Sequence, residues 1–221
     1  MTRPARLLLA SASPARLATL RSAGVEPSVR VSGVDEDAAL RSAQSRYGTL
    51  DPADVALVLA RAKAEAVVES LLGEDSADAV ELVLGCDSVL ELDGSAHGKP
   101  SSAQEARDRW RAMSGRRGVL HTGHWLIDLR PDGTGATLGA TGSTAVHFAR
   151  LSPEEIDAYV ATGEPLQVAG AFTVDGLGGP YVDRIEGDYH NVVGLSLPLL
   201  RLLLARLGHS WTSLWTPPTH L

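Results

Sequence analysis

An α/β fold is predicted by three features of the chain. Short apolar runs of strand length alternate with helix-length patterns, a glycine or capping residue punctuates nearly every transition, and 44% hydrophobic residues against 21% charged is the balance of a protein with a buried core. Residues 6–10 read as a first strand. They pass through Ser11 and Ser13 into a helix over 14–23, with Ser13 placed to cap, Pro14 to start and Gly24 to stop it. The run 29–34 is strand-like and is followed by the acidic trio Asp35, Glu36 and Asp37. A helix over 51–72 ends at Gly73, and an apolar strand over 80–85 ends in Gly85 just before Asp87. A helix over 102–113, strands over 120–129 and 144–148, and a helix over 199–207 complete the alternation. The strongest local signal is Ser152-Pro153-Glu154-Glu155, a capping box with proline at the first helical position, closed by Gly163.

Three stretches read as loops: 73–78, 130–143 and 176–180. The second contains Pro131-Asp132-Gly133, a turn signal suited to joining antiparallel strands. No internal repeat or long linker interrupts the 221 residues, so one domain over 1–221 is expected, with 209–221 as a tail. Trp211 and Trp215, four apart in that tail, suit a last helical turn packed on the body or on a second subunit.

Composition excludes several classes of function. Cys86 is the single cysteine, which rules out an intrachain disulfide or a thiolate-rich metal site and fits a reducing cytoplasm. A net charge of -7 opposes a general nucleic-acid coat, which needs a basic surface. No run approaches the about 18 apolar residues of a membrane span, and residues 7–10 are too short for a signal-peptide core. A cytoplasmic protein without nucleic-acid or membrane partners is therefore expected. Seven histidines show no metal-binding pair at helical spacing, and Gly-x-Ser-x-Gly is absent, which leaves zinc and serine-nucleophile chemistry without support.

Several groups of residues suit phosphate chemistry. At Ser11-Ala12-Ser13-Pro14-Ala15-Arg16 a strand runs into a helix, so unpaired amides and the positive end of the helix dipole point at one place, and Arg16 adds a charged donor. An ordinary helix cap has the same pattern. Asp87 follows an apolar strand, where α/β sheets gather ligands, although turn chemistry also favours Asp there. Lys99 sits between Gly98 and Pro100. Lys63 lies on a helix among alanines, and the acidic trio at 35–37 offers either hard oxygen ligands or plain surface.

The order of these pieces resembles the Maf family of nucleoside triphosphate pyrophosphatases. Ser-x-Ser-Pro-x-Arg, the Val-Asp-Glu segment, Lys63, Gly-x-Asp-Ser, Gly-Lys-Pro, His121-Thr122-Gly123, Ala169-Gly170-Ala171-Phe172 and the run 185–195 follow the family's order from Leu7 to about Leu204. The resemblance implies an elongated mixed sheet flanked by helices, two lobes around a nucleotide cleft, similar to inosine triphosphate pyrophosphatases. It implies cleavage between the α and β phosphorus atoms with a divalent cation, Mg²⁺ or Mn²⁺, and a homodimer. By motif match Ser11, Ser13 and Arg16 cradle phosphate, Lys63, Lys99 and Thr122 contact it, Glu36 and Asp87 form the acidic and metal-holding side, and Asp87 accepts the proton. Opposite charge nearby is expected to keep Asp87 ionised.

Two positions depart from the family pattern. Ala15 stands where many members have a second arginine, and Asp175 stands where the pyrimidine-selective branch has glutamine. A glutamine amide both donates and accepts, whereas an ionised aspartate only accepts, so Asp175 suits a base edge with N–H donors, a guanine-type or methylated base among them; metal binding or a turn cap are its alternatives. A nucleotide sensor of cell division without turnover is the competing reading of the same pocket. A nucleotidyltransferase is disfavoured because no Gly-rich loop precedes the arginine.

Overall fold

The computed structural model describes residues 4–72, 80–130 and 135–216. Its frame is a mixed seven-stranded sheet in the order β2-β1-β3-β5-β6-β7, with β4 also on β3. The strands are β1 (Leu7–Ala10), β2 (Ser28–Val29), β3 (Leu82–Leu92), β4 (Ser95–His97), β5 (Arg117–Asp128), β6 (Thr137–Phe148) and β7 (Val182–Glu186). β1 is parallel to β2 and β3, and the remaining pairs are antiparallel. The helices are α1 (Pro14–Ser22), α2 (Glu36–Tyr47), α3 (Pro52–Leu71), α4 (Ala103–Met113), α5 (Pro153–Ala161), α6 (Tyr189–Val193) and α7 (Leu197–Arg206). Among the described residues no helix is long and apolar enough to cross a membrane.

The caps behave as their chemistry requires. Ser13 accepts from the Arg16 amide, Ser102 from Glu105, and Ser152 and Glu155 form the reciprocal capping box. Trp211–Leu214 forms a single 3-10 turn, and Trp215 packs back on the body, its Nε1 donating to the Ala23 carbonyl at 3.1 Å. The turn at 131–133 and the acidic loop 73–78 lie outside the described residues.

Four expectations need correction. The loop expected over 130–143 gives way to strand at Thr137, because β5 supplies partners for β6 from Thr137 to His147. The strand expected over 29–34 is only Ser28–Val29, because its neighbour β1 stops at Ala10 and leaves residues 31–34 no ladder to join. The acidic trio does not follow a strand; it opens α2, with Asp35 accepting from the Ala38 amide at 2.8 Å. Acids at a helix start and Gly48 at its end were the signal for that helix. Finally, the strand expected to stop at Gly85 runs on to Leu92, because β5 supplies partners from Leu82 to Glu91. Asp87 is therefore a mid-strand residue.

Two cores flank the sheet along its length. One is aliphatic, built from Leu7, Leu9, Leu20, Leu82, Leu84, Leu126, Leu195 and Leu200. The other centres on Trp110 with Phe148, Tyr159 and Phe172, whose rings meet edge to face at centroid distances of 4.9–5.8 Å. A third, smaller core lies under α3, which sits unusually close to the sheet. A Cβ at Gly85 would lie 2.1 Å from the Ala60 carbonyl oxygen, and one at Gly123 would lie 2.3 Å from that of Ala56. Only glycine permits that approach.

Candidate active site

The site lies where β3 lacks a neighbour on one edge. β5 occupies one edge of β3 throughout, so β1 and β4 share the other. β1 pairs as far as Gly85 and β4 begins at Leu90, which leaves residues 86–89 unpaired between them. The chain leaves β1 at Ser11 on one side of this gap. It leaves β4 toward Lys99 on the other, since continuing that antiparallel register carries the backbone back along β3 toward Ser88. In an open α/β sheet such a break is where ligands bind.

Arg16, near the start of α1, fills part of the gap. Its Nη1 donates to the Cys86 carbonyl at 2.8 Å and to Ser11 Oγ at 3.1 Å, Nη2 donates to Ser88 Oγ at 3.1 Å, and Nε donates to the Gly194 carbonyl at 2.7 Å. Four of the five guanidinium N–H groups are thus used within the protein, and one on Nη2 remains for a ligand. Arg16 joins four segments of chain before it touches any phosphate. Ser11 Oγ accepts from both Arg16 and the Ser13 amide, so its own O–H is left to donate. Ser13 Oγ is committed to the helix cap, accepting from the Arg16 amide at 3.4 Å.

On the opposite face of β3, Lys63 of α3 bonds Asp87 Oδ1 and lies 2.8 Å from Glu36 Oε1 at the start of α2. The close seat of α3 at Gly85 makes this possible, two residues before Asp87. Asp87 is 8% exposed. Burial raises its carboxyl above the usual range, against the opposing pull of Lys63 and Arg16. The charge argument by itself gives the wrong direction, because desolvation outweighs both cations. Cys86, wholly buried beside it, has its thiol pushed up to about 12 by burial and stays a protonated core group.

The remaining predicted residues divide. Thr122 is fully buried, donating to the Asn191 carbonyl at 2.9 Å and meeting Ser88 Oγ at 2.9 Å, so it holds Ser88 under Arg16 and does not face a ligand. Lys99 is exposed and has no ion pair or hydrogen bond among the described residues. Its turn is anchored from behind, since the Gly98 carbonyl accepts from Arg109 Nη1 at 2.5 Å and from the Gly170 amide at 3.1 Å. Asp175 reaches a cavity of about 280 Å³ against α1, lined also by Ala15, Ala18, Thr19, Tyr189 and His190. It shares that cavity with the other departing position, Ala15, next to Arg16.

Two further residues matter here that were not among the predicted site residues, although Asn191 lies within the run 185–195. Asn191 is 1% exposed and bonds the Leu120 carbonyl and Thr144 Oγ1 through Nδ2, tying α6 to the sheet under Thr122. His124 sits one layer behind: Nδ1–H donates to the Thr122 carbonyl at 3.0 Å and Nε2 accepts the Ser196 amide at 2.8 Å. Those partners fix the neutral tautomer, and burial lowers its pKa to about 4.

Comparison with known proteins places the chain in a family. The family model described as "Maf-like protein" matches residues 6–207. The chain is 55% identical over 210 residues to a protein named nucleoside triphosphate pyrophosphatase from Leifsonia xyli subsp. xyli, covering 95% of this chain and 96% of that one. A Salinispora tropica protein of the same name is 55% identical over 217 residues, covering 98% and 90%. Among solved structures, the nucleoside-triphosphatase / dITP/XTP pyrophosphatase from Mycobacterium abscessus is a distant likeness, 16% identical with a TM-score of 0.34 over 92% of this chain and 94% of that one. With one model spanning every element from β1 to α7 and close relatives matching nearly end to end, the chain belongs to the Maf family.

Proposed function

We propose that this protein hydrolyses a nucleoside triphosphate between its α and β phosphorus atoms, giving a nucleoside monophosphate and pyrophosphate. One observation carries the reading: the ion-paired cluster of Asp87, Lys63 and Glu36 at the unpaired stretch of β3, with Arg16 bonded to the residue before Asp87. The names of its relatives support the same activity. Breaking a phosphoanhydride requires charge neutralised on the phosphate oxygens, a positioned water and a stabilised leaving group, and no covalent nucleophile. The Ser11 hydroxyl and the first-turn amides of α1 take phosphate oxygens. Lys63 and Lys99 bring positive charge from the two sides of the gap. Asp87 accepts the proton of the attacking water, and a carboxyl held above its usual range is the stronger acceptor for it. A sensor without turnover has no use for such a group.

A divalent cation fits these donors. Two carboxylates, Glu36 and Asp87, stand close enough to share one cation, the Lys63 ammonium, and with a metal held by them that ammonium would be displaced toward the phosphates. Among the described residues no group of three or more His, Cys, Asp or Glu side chains is placed to hold a metal. One or two carboxylates completed by substrate phosphates and water is the usual pattern for Mg²⁺ or Mn²⁺. Bound there, the ion supplies charge neutralisation on the phosphate oxygens. Asp175 then faces the base as an acceptor, which favours an edge with N–H donors, and two chains pair as a homodimer.

The test is a panel of ordinary and modified nucleoside triphosphates assayed for pyrophosphate, with and without excess chelator and with Asp175→Gln alongside. Release from at least one substrate, lost in chelator, is the expected result. No release from any member sinks the activity, and full activity in chelator sinks the metal. A monomeric mass by light scattering at micromolar protein removes the dimer.

A further inference from the structure

Asp175 stands in a turn that is wound around a half-buried carboxylate. Residues 173–178 carry no regular secondary structure, yet they converge on the carboxylate of Glu164, which follows α5 in a separate 3-10 turn. Glu164 Oε1 accepts from Thr173 Oγ1 at 2.6 Å, from the Tyr159 hydroxyl at 2.9 Å and from the Gly178 amide at 3.2 Å, and Oε2 accepts from the Leu177 amide at 3.1 Å. Tyr159 adds a second brace, its hydroxyl accepting from the Thr173 amide at 3.2 Å. The fit is close: a Cβ at Gly176 would lie 2.6 Å from Glu164 Oε2, and one at Gly178 would lie 2.4 Å from the Tyr159 hydroxyl. Asp175 lies between Thr173 and Leu177, both of which bond Glu164.

The charge is matched to the task. Four donors meet one carboxylate, three at Oε1 and one at Oε2, with the Gly178 amide shared between Oε1 and Thr173 Oγ1, and the bonds are charge-assisted. Burial opposes the ionised form, yet the hydrogen bonds from Thr173, Leu177, Tyr159 and Gly178 hold the carboxyl below its usual range. The same turn is tied to the lysine side of the gap, because Gly170, just ahead of it, bonds the carbonyl next to Lys99. A neutral amide in place of Glu164 would, whichever way it turned, set its NH₂ against one backbone N–H, that of Leu177 or that of Gly178, and the turn would have to shift.

We infer that Glu164 is a positioning residue for substrate selection: it holds the 173–178 turn so that Asp175 meets the nucleotide base in the cavity beside Ala15. The inference rests on the reading of Asp175 as a base contact. Selection is a difference of affinities between bases, so it is lost when the acceptor wanders even though the phosphate chemistry on β3 is intact.

The experiment compares wild type, Glu164→Gln and Asp175→Asn for kcat and KM on the substrate panel, with thermal unfolding of each. For Glu164→Gln the ratio of kcat/KM between the best and a poor base falls by about tenfold or more, carried by KM, while kcat stays within about threefold. A brace that served stability alone would lower the unfolding temperature and leave that ratio unchanged, and this result overturns the inference, as does a fall in kcat with KM unmoved. If Asp175→Asn shifts the ratio and Glu164→Gln does not, the positioning role fails while the base contact stands. If neither shifts it, the base contact itself fails. Should Glu164→Gln not fold, Thr173→Val removes one donor while keeping the side chain's shape and carries the same expectation at smaller amplitude.

Discussion

β3 runs through two halves of the molecule that are built differently. Its first residues, Leu82 and Leu84, lie in the aliphatic core with β1, α1 and α7, while Leu90 and Leu92 lie in the aromatic core around Trp110. In the aliphatic half the groups proposed to react sit on regular elements or their ends: Asp87 on a strand, Lys63 on a long helix, Ser11 and Arg16 at a strand-to-helix junction. In the aromatic half the groups proposed to meet substrate, Lys99 and Asp175, sit on turns. Each turn is held from behind by one charged side chain, Arg109 at the Gly98 carbonyl and Glu164 at residues 173–178. The contrast amounts to a division of labour. On the proposed reading the proton acceptor and most phosphate contacts stand on rigid elements, whereas one phosphate lysine, Lys99, and the base contact, Asp175, stand on turns that substitution can re-aim without disturbing the sheet.

The sharpest way to break that division is Asp87→Asn. Losing a positioned proton acceptor is expected to cut pyrophosphate release by about 10² to 10⁴-fold. The unfolding temperature should move little, because asparagine keeps the shape and an oxygen that accepts from Lys63, whose charge is still met by Glu36. Turnover near wild type would remove Asp87 from its role. Trp110→Ala attacks the other half: it empties the centre of three edge-to-face ring contacts and leaves the Ala171 carbonyl without its donor. A loss of about 3 to 5 kcal/mol in denaturant unfolding is expected. With the 169–181 segment loosened, KM should rise more than kcat falls; the reverse pattern would show the aromatic half acting on chemistry.

His124 provides a pH handle on the aliphatic half alone. Burial holds its pKa at about 4, below the ordinary 6.5, so between those values the unfolded chain takes up a proton that the folded chain refuses. Stability is then fully present above pH 6.5 and falls as the pH drops toward 4, by about 3 kcal/mol for a depression of that size. Urea midpoints measured across this range should show the slope, and His124→Gln should flatten it. A wild-type curve that is level from pH 6.5 to 4 would contradict the assignment. The smallest effect is expected from Gly85→Ala. A methyl 2.1 Å from the Ala60 carbonyl forces α3 off the sheet at a cost of about 1 to 3 kcal/mol. Because α3 carries Lys63, activity should fall further than stability explains, and an equal loss in both would mean that the lysine's seat does not matter.

Local chemistry made much of this legible from sequence. Ser13 with Pro14 and Ser152 with Glu155 cap where they stand, since a cap depends on residues three apart. The apolar runs became β1, β3, β5 and β6 because strand burial repeats every two residues. β4 and β7 were not legible: Ser95–His97 and Val182–Glu186 are short and partly exposed, and they exist because a longer strand lies alongside. Of the candidate site, Ser11 and Arg16 meet at the gap in β3, and Lys63 and Glu36 meet Asp87 there, whereas Thr122 is an interior support.

Helix starts, the junction where the chain can receive a phosphate, and the lack of any pairing for a lone thiol could all be read from the order of residues. Packing of the whole chain settled the rest: Asp87 lies mid-strand beside an opening, its burial outweighs its cations, Arg16 spends most of its donors on the protein, and Glu164 stands behind Asp175. The reason is physical. Caps and periodicity are set by neighbours a few residues away, but an opening in a sheet is made by where two other strands stop, and desolvation is set by whatever the distant parts of the chain pack around a group.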